Sequence, residues 1–236
     1  MQKSLKFPIS GLAAILVSLF IASELLLAFL IQLVPHASFG KVAYLSIILV
    51  FAFSFFKFTS VPKNVWLIRL GLLFTLIADF FLVVLVPERA IAGVSVFIFA
   101  QLAYGVYLYI LDGGAVKKYV SLIIRAALSL IALIIPHVVL GEGIDALSLI
   151  SMLYYAQLVS NLIIALIYKR PLFAIALFLF ALCDLSIGID NLVNSYIGAS
   201  EGSFFYLLAN TKINLAWVFY LPSQVLIAIY AAFNKK

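Results

Sequence analysis

Apolar residues dominate eight stretches of the chain, each about as long as a transmembrane helix. A window of about 20 residues resolves them, because about 20 apolar residues in an α-helix cross the hydrocarbon core of a bilayer. We therefore predict an all-α, polytopic membrane helical bundle that forms a single integral-membrane domain over residues 1–236. The eight predicted spans cover roughly residues 9–34, 41–56, 65–86, 91–111, 119–140, 145–168, 171–192 and 212–233.

Composition excludes a soluble globular protein, because 67% of the residues are hydrophobic and only 10% are charged. The N-terminal stretch MQKSLKFPISG leads into the first apolar run without a clear small-residue cleavage site, which favours a first helix over a cleaved signal peptide. Cys183 is the one cysteine, so no intrachain disulfide forms. Two histidines, His36 and His137, are too few for a buried zinc site, and we expect neither a metal nor another cofactor.

Lysines and arginines divide unequally between the two ends of the predicted spans. Because basic residues accumulate on the cytoplasmic side, this asymmetry predicts that both termini are cytoplasmic, in a bacterial inner membrane or an equivalent membrane. It also explains the net charge of +6 through topology and anionic lipids, without nucleic acid. Twelve basic residues are assigned to the cytoplasmic side, namely Lys3, Lys6, Lys57, Lys63, Arg69, Lys117, Lys118, Arg125, Lys169, Arg170, Lys235 and Lys236, and three to the outer side, namely Lys41, Arg89 and Lys212.

Two aspartates lie deep inside predicted spans, where an acidic group costs a few kcal/mol. Asp79 comes 14 residues after Val65 and Asp184 comes 13 residues after Pro171, in two spans that run in the same direction. Both are therefore about 20 Å from the cytoplasmic surface of the core. Residues of this kind usually line a cavity or a reaction site, although an acid can also bind a neighbouring helix for packing alone. We expect the two carboxyls to face one polar cavity.

Glu24 reaches a similar depth in the first predicted span and has two interpretations. It is either a third acid of the same cavity or a partner of Lys41 at the outer side. Other polar residues within the spans are candidates to line the cavity, while Gln157 and Asn161 are interpreted as hydrogen-bonding residues between helices. The candidates are Thr75, one turn from Asp79, the i, i+3 pair Gln101 and Tyr104, Asn191, seven residues after Asp184, and Gln224, near Pro222.

The two acid-bearing spans resemble each other. The segment LLFTLIAD ends at Asp79 and the segment LFLFALCD ends at Asp184, four spans apart. This similarity indicates a parallel four-plus-four repeat, an arrangement that places sites at the interface of the two halves.

Several motifs resemble the YhhN-like lysoplasmalogenase family of eight-span membrane enzymes. They are ADFFLV, AGVSVFIFAQLAY with Gly93, Phe97, Gln101 and Tyr104 at the family spacing, ALFLFALCDLSIGI, and FYLPSQVLIA. The resemblance covers most of the chain. Four positions depart from the pattern: Ala78 and Cys183 stand where the family usually has Gly and Ser, Gln101 where it usually has His, and Val42 where it tends to have Pro.

The resemblance implies hydrolysis of the vinyl ether bond of a lysoplasmalogen to a fatty aldehyde and a glycerophospho-alcohol. Asp79 and Asp184 would supply the acid and the carboxylate for this reaction. The implied partners are a lysophospholipid or another single-chain lipid as substrate and the surrounding membrane lipids. Residues expected to bind the substrate are Glu24, Lys41, Gln101, Tyr104, Asn191 and Gln224, with Arg89 and Lys212 as further outer cations near the phosphate.

Two other functions stay open at this point. A proton- or cation-coupled transporter of small molecules or lipids would use the same intramembrane carboxylates, although the sequence has no obvious Gly or Pro break beside them. An intramembrane aspartyl protease also needs two aspartates. Here, however, Leu182 and Cys183 precede the second one in place of Gly-x-Gly, and the chain has no Pro-Ala-Leu tripeptide.

Overall fold

The computed structural model describes residues 11–59, 62–85, 89–111, 114–196 and 200–233, and every regular element within these ranges is helical. Seven of these helical stretches are long and apolar enough to cross a membrane. The predicted all-α membrane class is therefore confirmed. The described α-helices are α1 (Gly11–Leu33), α2 (His36–Phe53), α3 (Trp66–Asp79), α4 (Ala90–Ile110), α5 (Gly114–Leu140), α6 (Ala146–Ile167), α7 (Pro171–Asn191), α8 (Phe204–Ala209) and α9 (Leu215–Phe233).

The second helix differs most from its predicted span, because it begins five residues earlier and ends three residues earlier. Pro35 sets the beginning: its carbonyl oxygen accepts bonds from the backbone N–H groups of Ser38 and Phe39 at 2.9 and 3.1 Å. Hydropathy alone does not detect this start, since the first turn carries polar side chains. The apolar helix over Ser38–Phe53 is shorter than the other spans, and the count of eight spans stays a prediction.

Local signals in the sequence define both ends of α6 and the beginning of α7. Asp145 caps α6 by accepting a 2.7 Å bond from the Ser148 N–H, and the Ser148 hydroxyl accepts a bond from the Asp145 N–H in return. After the helix, Lys169 has a left-handed φ of 56°, which ends α6. Pro171 then occupies the first turn of α7, where its missing N–H costs nothing.

Packing groups the helices around the two acid-bearing ones. The most extensive helix contacts are those of α7 with α9 and of α3 with α4, while α6 lies between α4, α5 and α7. The largest fully buried side chains at these contacts include Tyr104, Tyr107, Phe173 and Phe180. α8 has six residues and is too short for a hydropathy window to detect. Both chain termini, and with them Lys3, Lys6, Lys235 and Lys236, lie outside the described residues.

Each acid-bearing helix changes to a π-helix toward the predicted outer side. α3 ends at Asp79 and continues as a π-helix over Phe80–Val84, where the Leu85 N–H donates to the Phe80 carbonyl at 3.1 Å. α7 continues in the same way over Leu192–Tyr196. No Gly or Pro lies in either π segment, so composition did not predict this irregularity. Short π-helical turns are frequent at functional sites.

Candidate active site

Asp79 is the last residue of α3 and is 3% exposed. Its Oδ2 accepts a hydrogen bond from the hydroxyl of Tyr220, which belongs to α9 and is 4% exposed. A buried acid costs less when a donor binds its charged form. The bond therefore stabilises the carboxylate and fixes its orientation.

Asp184 on α7 has a corresponding partner. The hydroxyl of Tyr154 on α6 donates a 2.7 Å hydrogen bond to Oδ2 of Asp184. Tyr154 is buried, whereas Asp184 is half-buried. The two aspartates are thus bound in the same way by tyrosines of two different helices, and Asp184 is the more accessible acid.

Aromatic rings join the two acid–tyrosine pairs into one cluster. The Phe180 ring lies 5.3 Å from the Tyr220 ring and 6.4 Å from the Tyr154 ring, between centroids. Phe97 of α4 closes the cluster, with its ring centroid 5.5 Å from Tyr154 and 5.7 Å from Phe180. Phe180 thus lies between the two tyrosines that bind the acids, and both acid–tyrosine pairs belong to one aromatic cluster.

The second oxygen of each carboxyl group accepts no hydrogen bond from the residues that the structure describes. In both aspartates the tyrosine binds Oδ2, which leaves Oδ1 to a water molecule or a substrate. Two nearby carboxyls cannot both carry a charge at low cost, so the pair favours one acid and one base. This arrangement can deliver a proton and activate water within one cluster.

Helices α4 and α9 run in the same direction on either side of aromatic residues of α7, and a bond between two of their tyrosines relates their registers. The hydroxyls of Tyr107 and Tyr230 lie 2.7 Å apart, and the two residues are separated by 123 positions in the sequence. The same offset relates Phe97 to Tyr220, which both contact Phe180. It also relates Gln101 to Gln224, and these two amides therefore share a level one helical turn from the cluster, toward the predicted cytoplasmic side.

Two buried polar atoms at this level make no hydrogen bond with the described residues. They belong to side chains with no exposed surface, and an unpaired buried polar group costs about 1–3 kcal/mol. A bound water or a polar part of a substrate would remove that cost. The atoms are Gln101 Nε2 and Gln224 Oε1, whereas the Tyr104 hydroxyl interacts with the Thr75 hydroxyl.

An intramembrane arginine orients Gln101. Arg125 of α5 donates from Nη2 to Asn161 Oδ1 at 2.6 Å and from Nη1 to Gln157 Oε1 at 3.1 Å. Asn161 Nδ2 in turn donates to the backbone oxygen and to Oε1 of Gln101, both at 2.9 Å. Gly105 leaves room for the guanidinium, because a Cβ there would lie 2.9 Å from Nη2. The chain of bonds fixes the Gln101 amide and leaves its Nε2 unpaired.

Arg125, which the charge count placed on the cytoplasmic side, therefore binds side chains within the bundle. Arg125 comes 11 residues after the first residue of α5, about 16 Å along the helix. The charge count treated it as a flanking residue, although it lies within the predicted span 119–140. The hydrogen-bonding role predicted for Gln157 and Asn161 between helices is confirmed.

Glu24 lies apart from the two aspartates. It is 3% exposed and accepts a hydrogen bond from Ser46 of α2, while Lys41 is exposed. Of the two interpretations of Glu24, the described contacts therefore do not support the pairing with Lys41. Tyr44, two residues before Ser46 and therefore on the opposite face of α2, packs on Phe80 beside Asp79. The helix α2 thus separates Glu24 from Asp79, and the structure does not bring the three acids together.

The predicted residues nearest the outer surface are exposed. Asn191 is the last residue of α7 and does not contact the described acids, while the adjacent Asp190 accepts a 2.8 Å bond from Asn194. The outer cations Lys41, Arg89 and Lys212 are likewise exposed.

Sequence reasoning missed Tyr154, Tyr220 and the role of Arg125. Tyrosine is common at membrane interfaces and carries no charge, so neither tyrosine differed from its apolar surroundings. The available signal was the position of each hydroxyl near the depth of the acids. That signal becomes useful only when the neighbouring helix is known.

The fold and the site define a multi-pass helical membrane protein with two tyrosine-bound carboxylic acids in one aromatic cluster. Residues 36–231 match the model of the YhhN family, and the chain belongs to that family. This confirms the resemblance found in the sequence motifs. The matched region contains both aspartates and both tyrosines, whereas Glu24 lies before it. No curated protein and no solved structure matches the chain.

Proposed function

We propose that this protein hydrolyses the vinyl ether bond of lysoplasmalogens, releasing a fatty aldehyde and a glycerophospho-alcohol. The observation that carries the proposal is the pair Asp79 and Asp184, each bound through Oδ2 by a tyrosine and each with Oδ1 available. Membership of the YhhN family is consistent with a lysoplasmalogenase-type reaction.

The reaction needs a proton donor and a base. The protonated carboxyl of the pair gives its proton to the alkene carbon distant from the ether oxygen, and the ether carbon becomes part of an oxocarbenium ion. The other carboxylate stabilises this cation and takes a proton from a water molecule, whose oxygen bonds to the ether carbon. In the resulting hemiacetal the proton of the new hydroxyl passes to the glycerol oxygen as the bond between that oxygen and the former ether carbon breaks, which releases the alcohol and leaves the aldehyde. One water is consumed, and each carboxyl ends in the other's starting protonation state.

The tyrosines hold the carboxyls in place for this exchange. A hydroxyl that donates to Oδ2 stabilises a carboxylate, and it also fixes Oδ1 toward the reacting atoms. Because Asp79 and Asp184 have corresponding partners, the titration belongs to the pair, and either aspartate can begin as the acid.

Gln101, Tyr104 and Gln224 form a polar layer one to two helical turns from the acids, and this polar layer would bind water or the ether oxygen. Gln101 offers an unpaired Nε2 donor and Gln224 an unpaired Oε1 acceptor, at one level of two parallel helices. Tyr104 adds a hydroxyl. The phosphate of the substrate would remain near the outer surface, where Lys41, Arg89 and Lys212 are exposed, while its single chain lies in the bilayer.

The direct test is an assay of the purified protein with two substrates of equal chain length and head group. One is a lysoplasmalogen and the other is the ester lysophospholipid. We expect fatty aldehyde from the first and no fatty acid from the second. Release of fatty acid from the ester would indicate an esterase. If the vinyl ether stays intact while protons or cations move across vesicles that contain the protein, the transporter interpretation replaces the proposal.

A further inference from the structure

A basic pocket of about 330 Å³ lies between the end of α2 and the beginning of α3, on the predicted cytoplasmic side and away from the acid cluster. Its lining includes Lys57, Lys63 and Arg69 but no acidic residue. Three cations in one small pocket repel one another unless an anion is bound. The pocket therefore has the charge of an anion site.

Two donors that line the pocket are buried and unpaired. Arg69 Nη2 and Thr59 Oγ1 make no hydrogen bond with the described residues, although both atoms are inaccessible to solvent. The rest of the Arg69 side chain is fixed, because Nε donates a 2.9 Å bond to the Ser54 carbonyl and the guanidinium lies 5.3 Å from the centre of the Phe55 ring. A guanidinium fixed in this way keeps a permanent positive charge at the inner wall of the pocket.

An exposed tryptophan also places the pocket at the predicted level of the lipid head groups. Trp66 lines it and is 57% exposed, and tryptophan prefers the interface between hydrocarbon and water. The segment before the pocket is held to the end of α9, since the Phe58 N–H donates to the Ala232 carbonyl at 3.2 Å and Phe58 stacks on Phe233. Basic pockets at the cytoplasmic side of helical bundles suit phosphate head groups.

We propose that this pocket binds a phosphate group, supplied by an anionic phospholipid of the cytoplasmic leaflet. Lys57 and Lys63 bind the phosphate oxygens from the rim, and Arg69 adds its positive charge from the inner wall of the pocket, where Thr59 also lies. The site is separate from the acid cluster and does not depend on the reaction proposed there. Its occupant would hold the ends of α2, α3 and α9 together.

The emission of Trp66 provides the test, because this residue lines the pocket. Protein in neutral detergent is titrated with short-chain phosphatidylglycerol, with short-chain phosphatidylcholine and with inorganic phosphate. We expect a saturable change with phosphatidylglycerol, a weaker one with inorganic phosphate and none with phosphatidylcholine. The change should vanish in Trp66→Phe, which shows that it does not come from Trp217.

Paired lysine variants separate the pocket from general surface charge. Lys57→Gln/Lys63→Gln changes two exposed side chains and should weaken binding about 25-fold, because one basic residue near the surface contributes about fivefold. The matched control is Lys117→Gln/Lys118→Gln at the beginning of α5, which should change binding less than twofold. Arg69→Gln should abolish the response, but it also removes the bond to Ser54, so the lysine pair decides.

Equal responses to phosphatidylglycerol and phosphatidylcholine would overturn the proposal, as would equal losses in the two lysine pairs. Equal affinities for phosphatidylglycerol and inorganic phosphate would overturn the assignment of a lipid as the occupant. The pocket would then be a site for a soluble phosphate anion.

Discussion

The hydroxyl of Tyr154 on α6 donates a 2.7 Å hydrogen bond to Oδ2 of Asp184 on α7. Tyr220 of α9 binds Oδ2 of Asp79 in the same manner. The two acids lie on α3 and α7, whose sequences resemble each other, and both are bound by tyrosines. The tyrosines lie on α6 and α9, which the repeat does not place at equivalent positions. The common feature is chemical, since a carboxylate among apolar side chains needs a hydrogen-bond donor.

Replacing either aspartate with asparagine should nearly abolish vinyl ether hydrolysis. Asparagine keeps the size of Asp79 or Asp184 but can neither deliver a proton nor carry the negative charge, and losing acid or base action costs about 100-fold to 10,000-fold in rate. The measurement is aldehyde release by each purified variant. Asp190→Asn is the matched control, because Asp190 is exposed on the same helix as Asp184, and it should retain activity within about twofold. An Asp79→Asn or Asp184→Asn variant with comparable activity would contradict the assigned roles.

Tyr220→Phe and Tyr154→Phe should each lower kcat by about 10-fold to 100-fold, because a hydrogen bond to a charged group contributes about 1.5–3 kcal/mol. KM should change little if the hydroxyls act on the carboxyls and not on the lipid. The comparison variant is Tyr230→Phe. Tyr230 lies on the same helix as Tyr220, and its hydroxyl forms a hydrogen bond with the hydroxyl of Tyr107 on α4. This variant is expected to lower thermal stability more than kcat. Equal kcat losses in all three variants would indicate a general packing effect.

Gln101→His should keep or raise the rate of aldehyde release. One imidazole nitrogen can accept the bond from Asn161 Nδ2, and the other can face the unpaired polar layer, where it exchanges protons near neutral pH. The pH dependence of the rate measures this effect, since an added imidazole should change the profile between about pH 5 and pH 8. A folded Gln101→His protein with more than tenfold lower activity would contradict the expectation that an imidazole can replace the amide at this position.

Gly71→Ala should destabilise the protein, because a Cβ at this position would overlap the Tyr104 ring. Overpacking of this kind costs about 1–3 kcal/mol. Gly188→Ala provides the control within another helix, since nothing lies within 4 Å of a Cβ there. It should be neutral or stabilising by up to about 1 kcal/mol. Thermal unfolding in detergent distinguishes the two variants, and equal midpoints would show that Tyr104 moves aside freely.

Single cysteines test the predicted orientation. In a Cys183→Ser background, Lys212→Cys should react with an impermeant maleimide from the outer side, and Lys117→Cys only from the cytoplasmic side. Both lysines are exposed in the structure, so access depends on topology and not on burial. The opposite labelling pattern would show that the predicted orientation is inverted, and the acid cluster would then lie nearer the cytoplasm.

The amino-acid sequence alone predicted the membrane class, most helix bounds and the common depth of Asp79 and Asp184. These properties follow from hydropathy and from the rise of a helix, which depend on neighbours along the chain. It also predicted that Gln157 and Asn161 bond between helices, because polar groups inside a membrane need partners. The family was recognised from motifs in the same spans.

Only the tertiary structure decided which side chains meet. The sequence does not specify that Tyr154 and Tyr220 face the acids, that α2 separates Glu24 from Asp79, or that Arg125 binds amides within the bundle. These relationships depend on how each helix is rotated and on its register with its neighbours, and apolar side chains allow many such arrangements. Here the arrangement is fixed by specific contacts, such as the bond between Tyr107 and Tyr230 and the space that Gly71 leaves for Tyr104.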